Sequence, residues 1–209
     1  MRLHSKVLIS LVFAILPGTW ASSIDYIFDT PTGNLGTQHT YLDNFDGIPI
    51  TAYGFNSHGT DDLYGSATWD ENGLGLTGNP DYAITTTSYV QLNLSNLWVL
   101  EPTSVSIEIG SVQCGDSWDV YGSNTLGVLG TPLLPTQTIY MSPVNLPSSA
   151  DNYEYISVEA RSGDVLLNSL DASFRECSTV PEPGTSVLMG AGLLGVAVLL
   201  GKARKGHKP

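Results

Sequence analysis

The sequence predicts an all-β chain, an antiparallel two-sheet sandwich with a secretory leader before it and one membrane helix after it. Three observations carry this. The middle of the chain is a series of short stretches in which apolar and polar residues alternate, punctuated by Gly, Pro, Asn and Asp. A short apolar run follows two cations at the N-terminus. A longer uncharged run precedes four cations at the C-terminus.

The leader comes first. Arg2 and Lys6 precede the apolar stretch Val7 to Leu16, Pro17 and Gly18 break it, and Thr19 and Ala21 are small residues suited to a cleavage site. Residues 1–21 therefore read as a signal peptide cut after Ala21, with Ser23 as a second candidate. The apolar stretch is too short to span a bilayer.

Residues 24–179 read as the sandwich. Val90, Leu92 and Leu94 alternate with polar neighbours in Tyr89 to Ser95, as do the apolar residues of Val105 to Ile109 and Tyr155 to Glu159. Val165 to Phe174 does so less cleanly. Period 2 with polar residues between marks strands buried on one face. Further strands are expected at Ile24 to Phe28, Ile48 to Phe55, Tyr64 to Trp69, Leu74 to Thr77, Trp118 to Gly122 and Thr136 to Tyr140. Turns are expected at Asn72-Gly73, Gly78-Asn79-Pro80-Asp81 and Gly163-Asp164. Residues 131–151 hold four prolines and several serines. They are expected to form a loop across one edge of the sandwich.

Charge narrows the partners. Residues 24–180 hold 19 of the 20 acidic residues and two Lys/Arg, Arg161 and Arg175, a formal charge of −17. Nucleic acid and anionic lipid are excluded as natural partners of such a domain. Neutral sugars, cationic partners and divalent cations are compatible with it.

Few residues point to chemistry. Cys114 and Cys177 in an exported chain are expected to form a disulfide, provided the strands before them run to the same end of the sandwich. Asp70, Glu71 and Asn72 offer oxygens for a structural Ca²⁺, though a plain turn explains them equally. No other cofactor is implied. His39 and His58 stand in no catalytic motif, and neither cysteine has a nucleophile's context. Acid pairs are abundant enough to arise by chance, which leaves a polysaccharide hydrolase as the weakest reading. Among the aromatics, Trp118 alternates with Val120 and is expected in the core. Trp98 is the candidate for an exposed, sugar-stacking ring.

Residues 180–209 complete the chain. Pro181 and Pro183 hold Val180-Pro181-Glu182-Pro183-Gly184-Thr185 extended. The uncharged residues 185–201 give roughly 25 Å of helix, at the short end of a bilayer span. Lys202, Arg204, Lys205 and Lys208 follow, and the positive-inside rule keeps that tail in the cytoplasm.

This segment resembles the PEP-CTERM sorting signal of Gram-negative bacteria. The residues that match are Val180 to Thr185, then Gly192-Leu193-Leu194-Gly195-Val196, then the basic tail. The resemblance implies export by the secretion machinery and a temporary hold in the inner membrane. Recognition by an exosortase near Pro-Glu-Pro would follow, with removal of the helix and tail and delivery to the cell surface or extracellular matrix. Trp118-Asp119-Val120-Tyr121-Gly122-Ser123-Asn124 resembles a strand and turn of galactose-binding-like domains, which implies a jelly-roll-like sandwich with carbohydrate-binding loops. The function expected is a non-catalytic structural or adhesive protein of the biofilm or exopolysaccharide matrix, with a carbohydrate-binding module as the alternative.

Overall fold

The computed structural model describes residues 23–43, 47–68 and 71–175. Contacts group Ala21–Arg175 as one compact unit. The signal peptide, Trp69, Asp70, Cys177, the sorting motif, residues 185–201 and the basic tail lie outside the described residues. No helix among the described residues is long and apolar enough to cross a membrane.

The alternation becomes strands. In chain order they are β1 (Ser23–Ile27), β2 (Gly33–Gly36), β3 (Gln38–Leu42), β4 (Pro49–Asn56), β5 (Gly59–Asp61), β6 (Leu63–Ala67), β7 (Asn72–Leu76), β8 (Ser88–Asn93), β9 (Ser104–Gly110), β10 (Ser117–Ser123), β11 (Thr131–Pro132), β12 (Val144–Asn145), β13 (Tyr155–Ser162) and β14 (Leu166–Ser173). One helical turn, α1 (Ser95–Trp98), follows β8. The first sheet has the order β12-β9-β14-β7-β6-β2, with β1 also on β14. The second has the order β11-β10-β13-β8-β4-β3, with β5 also on β4. The pairings are antiparallel. From β7 to β10 the chain changes sheet at every step, so its interior is assembled from contacts distant in sequence.

Each sheet turns one face inward. Val90, Leu92 and Leu94 are fully buried, as are Ile107 and Ile109 from the opposite sheet and Trp118 of β10. Trp118 is thus a core residue, as its alternation with Val120 predicts. Its indole N–H donates to the Ile139 carbonyl at 3.2 Å. Burying so large a ring demands a partner for its one polar atom.

Three local expectations change. Thr136 to Tyr140 is not a strand. Gln137 makes a single bridge to Trp118, and the pairing partner of β10 on that side is the earlier segment β11. Asn72-Gly73 is not a turn but the start of β7. The β6–β7 connection closes one step earlier, where Thr68 N–H donates to the Glu71 carbonyl at 3.2 Å. The uneven alternation of β14 comes from a bulge between Leu167 and Ser169, which buries Leu166 and Leu167 together before Leu170 and Ala172 resume the pattern. The turn at Gly163-Asp164 forms as expected, with Gly163 at φ +68°.

Residues 131–151 cross one edge, as their composition predicts. They begin as β11 on the second sheet and reach the first as β12. Leu133 N–H donates to Val120, Met141 N–H to Ile109 and Leu146 N–H to Val105. One side of the sandwich is therefore closed by irregular backbone that bonds to both sheets. Within the first sheet the first and last strands lie side by side, with Ser23 of β1 opposite Ser173 of β14.

Trp118 joins the core to this edge cover. Trp118→Ala is expected to cost about 3–5 kcal/mol in urea unfolding, with early loss of protection for the amides of residues 133–141.

Candidate functional site

The expected site residues that can be described are scattered. Cys114 is exposed in the turn after β9. Cys177, its expected partner, lies outside the described residues. β9 and β14 are adjacent and antiparallel, with Ser104 opposite Ser173 and Gly110 opposite Leu166. The strands before the two cysteines therefore run to opposite ends of the sheet. Glu71 lies in the β6–β7 connection, and its carbonyl is engaged by the Ser66 hydroxyl at 2.8 Å and the Thr68 hydroxyl at 3.1 Å. Among the described residues no cluster of three His, Cys, Asp or Glu side chains could hold a metal ion. His39 packs edge-on against Tyr41, whereas His58 sits in the β4–β5 turn, where Asn56 caps its N–H. The structure does not bring the two together.

Trp98 is half-buried rather than exposed. Its indole N–H donates to the Tyr153 carbonyl at 2.9 Å. It lines a shallow cleft with Pro102, Leu146 and Pro147 at one end of the sandwich. A group of half-exposed rings lies elsewhere, on the outer face of the second sheet. Register places them in rows. Tyr53, Gln91, Ser157 and Tyr121 lie side by side across β4, β8, β13 and β10, and Phe55, Tyr89, Glu159 and Asp119 form the next row. Their alternation with inward residues aims all of them outward. Tyr53 meets Tyr155 edge-on at 6.5 Å, and Phe55 stacks on Tyr89 at 5.2 Å. These are half-exposed except Phe55, which is buried.

A strap lies on this face. Residues 124–130 leave the end of β10, cross the sheet and return as β11. Gln91 fixes them. Its carbonyl oxygen accepts from Gly127 N–H at 2.8 Å, and its amide donates to the Val128 carbonyl at 3.1 Å and to Ser157 Oγ at 3.0 Å. Gln91 and Ser157 are consequently 0% exposed on what would otherwise be the wet side of a sheet. At its base, Asn124 bonds the Asn152 carbonyl and accepts from Glu154 N–H. A cluster of Gly, Asn, Ser and Thr between two strands signals a loop, but nothing in it says where the loop lies.

Carboxylates gather at two places. On the tyrosine face Asp119 and Glu159 are cross-strand neighbours, and the Tyr121 hydroxyl donates to Asp119 at 3.3 Å. Burial pushes the Glu159 carboxyl up, and Asp119 adds to the effect. Burial and the two carboxylates push the Tyr121 hydroxyl up to about 12. On the first sheet Asp25 of β1 and Asp171 of β14 are directly opposed and share a hydrogen bond. Burial, then the Asp25 charge, raises Asp171 to about 6.

Residues 179–205 match the family model described as the PEP-CTERM protein-sorting motif. The chain thus carries this sorting motif, and with it an exosortase-dependent route of export through the membrane. No curated protein matches the chain. No solved structure matches it either, so the likeness of Trp118 to Asn124 to galactose-binding-like domains rests on those seven residues alone.

Two outcomes follow from this geometry. Gln91→Ala strips the strap of two bonds, removes the bond to Ser157 and leaves Gly127 N–H without its acceptor. It is expected to cost about 2 kcal/mol and to raise amide exchange across residues 124–130. Asp171→Asn tests the first sheet. The raised folded pKa means that the native state keeps a proton which the unfolded chain has already released, so wild-type stability falls as pH rises from about 4 to about 6. The Asn variant is expected to melt higher than wild type at pH 7, with the gain vanishing by pH ~4.

Proposed function

We propose that this chain is a Gram-negative surface protein, held briefly in the inner membrane by residues 185–201 and processed by an exosortase at Pro181-Glu182-Pro183. The product is an acidic β-sandwich displayed at the cell surface or in an exopolysaccharide-rich biofilm matrix, in a structural or adhesive role without catalysis. The observation that carries this reading is the sorting motif at residues 179–205. The charge pattern supports it. Six of the eight Lys/Arg residues lie in the two terminal segments, where targeting needs them. A hydrolase finds less support, because the Asp25 and Asp171 carboxyls are in hydrogen-bond contact. Glycosidase carboxylates stand ~5–9 Å apart across a cleft.

A second reading, a carbohydrate-binding module, is favoured by the tyrosine face of the second sheet. Tyrosine rings pair an apolar surface with a polar edge, which suits the mixed surface of a sugar.

The sorting step is tested by the double variant Pro181→Ala with Pro183→Ala in a host that has an exosortase. Export is expected to continue while processing stops. A membrane-held form should accumulate, about 3 kDa heavier than the mature protein, on the mean residue mass given by 22.3 kDa over 209 residues. Maturation at the wild-type rate would instead make residues 185–201 an ordinary C-terminal anchor.

A further inference from the structure

We propose that the outer face of the second sheet binds a polysaccharide bearing free amino groups, with the rings of Tyr53, Tyr89, Tyr121 and Tyr155 and the carboxylates of Glu154 and Glu159 as its contacts. This deepens the carbohydrate-binding reading and rests on it.

The rings supply the surface. Tyr53 and Tyr155 come from strands separated by β8, yet their rings reach to 6.5 Å of each other above it. Tyr121 lies in the row of Tyr53 and Gln91, on the opposite side of Gln91 from Tyr53, and Tyr89 lies in the next row. Rings therefore flank the strap on both sides. All four tyrosines stay half-exposed. A core or edge-packing role would have buried them, as it buries Tyr26 at 1% and Tyr41 at 6%.

Charge selects the ligand. Glu154 is exposed and influences the Tyr155 hydroxyl through its charge and a hydrogen bond. Glu159 sits opposite Tyr89 in register and bonds the Tyr121 hydroxyl. Rings carry negative potential on their faces, and an ammonium group over a tyrosine gains from it, more so beside a carboxylate. An anionic glycan would face the −17 charge of residues 24–180 without compensation. A second copy of the chain would meet the same repulsion. Burial opposes the ionisation of Glu159, the Tyr121 hydroxyl and the Arg161 charge act the other way, and a ligand ammonium would add to them where a neutral glycan would not.

The strap sets the geometry. Gly127 lies against the Phe55 ring, and Phe55 in turn stacks on Tyr89. The strap that Gln91 fixes thus packs against the ring on which Tyr89 stacks, while Asn124 at the strap's base accepts from Glu154 N–H beside Tyr155. The rings are positioned before a ligand arrives, which limits the entropy lost on binding.

The test uses the full chain in a non-ionic detergent and three hexasaccharides of one backbone: β-1,4-linked glucosamine, its fully N-acetylated form, and the uncharged glucose polymer. Calorimetry is expected to show the amino form binding at least about tenfold tighter than the other two, with the preference shrinking as salt rises. Tyr53→Ala and Tyr155→Ala are expected to weaken it by about tenfold or more. Tyr64→Ala, which removes the ring stacked on Tyr82 away from this face, should leave it unchanged. Glu154→Gln changes one exposed group without touching the fold and should reduce the preference for the amino form. Equal binding of all three sugars, lost in the tyrosine variants, overturns the amino selectivity and leaves the carbohydrate-binding reading standing. Binding that survives both tyrosine changes overturns the assignment to this face. No binding of any sugar overturns both.

Discussion

Gln91 is fully buried on the side of a sheet that a sandwich gives to water, and the character of that side depends on it. A primary amide has one acceptor and two donor hydrogens. Gln91 uses them on two backbone groups of the strap and one serine of the next strand. A loop bonded to a sheet through a single side chain stays only if that side chain leaves nothing unsatisfied, since an unmade bond in a closed site costs more than a made one contributes. The inner face of β8 could be repacked with other apolar residues of similar volume. Its outer face has no comparable freedom at this position.

The arrangement of the sheets imposes a second constraint. β1 pairs with β14, so the first strand of the sandwich waits for the last. Between them the chain crosses from sheet to sheet, and few strands pair with their immediate successor. Non-local pairing of this kind closes late, after loop entropy has been overcome. A chain exported in extended form suits such a fold. Its core cannot form until Leu170 and Ala172 have arrived, and both lie within ten residues of the segment that carries the sorting motif.

Much of the framework is legible in the residues because period 2 is a strong signal wherever a strand buries one face. Val90, Leu92 and Leu94 announce β8, and Val105, Ile107 and Ile109 announce β9. β2, β3, β5 and β12 are not announced. They are short edge strands rich in Gly, Thr and Asn, and their backbone bonds, not their side chains, define them. Thr136 to Tyr140 misleads for the opposite reason. Its side chains are exposed except that of Gln137, which is half-buried, and it meets β10 through a single bridge from Gln137 to Trp118, so the alternation in residue type has no buried face behind it. The sorting motif is fully legible, since it is a local signal contained in one short stretch of sequence. The tyrosine face is not. Tyr53, Tyr89, Tyr121 and Tyr155 stand far apart in sequence, each an ordinary polar-face residue of its strand. Only the register of four strands makes them neighbours.

Trp98 shows why residue type alone misdirects a search for a binding surface. Tryptophan offers the largest ring, yet its N–H calls for an acceptor, and here the Tyr153 carbonyl fixes it at the end of the sandwich. Tyrosine carries its polar group at the far end of the ring. It can lie across a sheet, keep one face open, and satisfy its hydroxyl in water or on a neighbouring carboxylate, as Tyr121 does on Asp119. On an acidic domain that combination has a consequence for sign. Each ring adds negative potential on its face to a surface already short of cations. Removal of the terminal segments would leave Arg161 and Arg175 as the only Lys/Arg residues, so the released sandwich would be more acidic than the full chain, whose net charge is −12. Aromatic area and carboxylate charge therefore act together on the same face, and both favour an occupant that brings the positive charge with it.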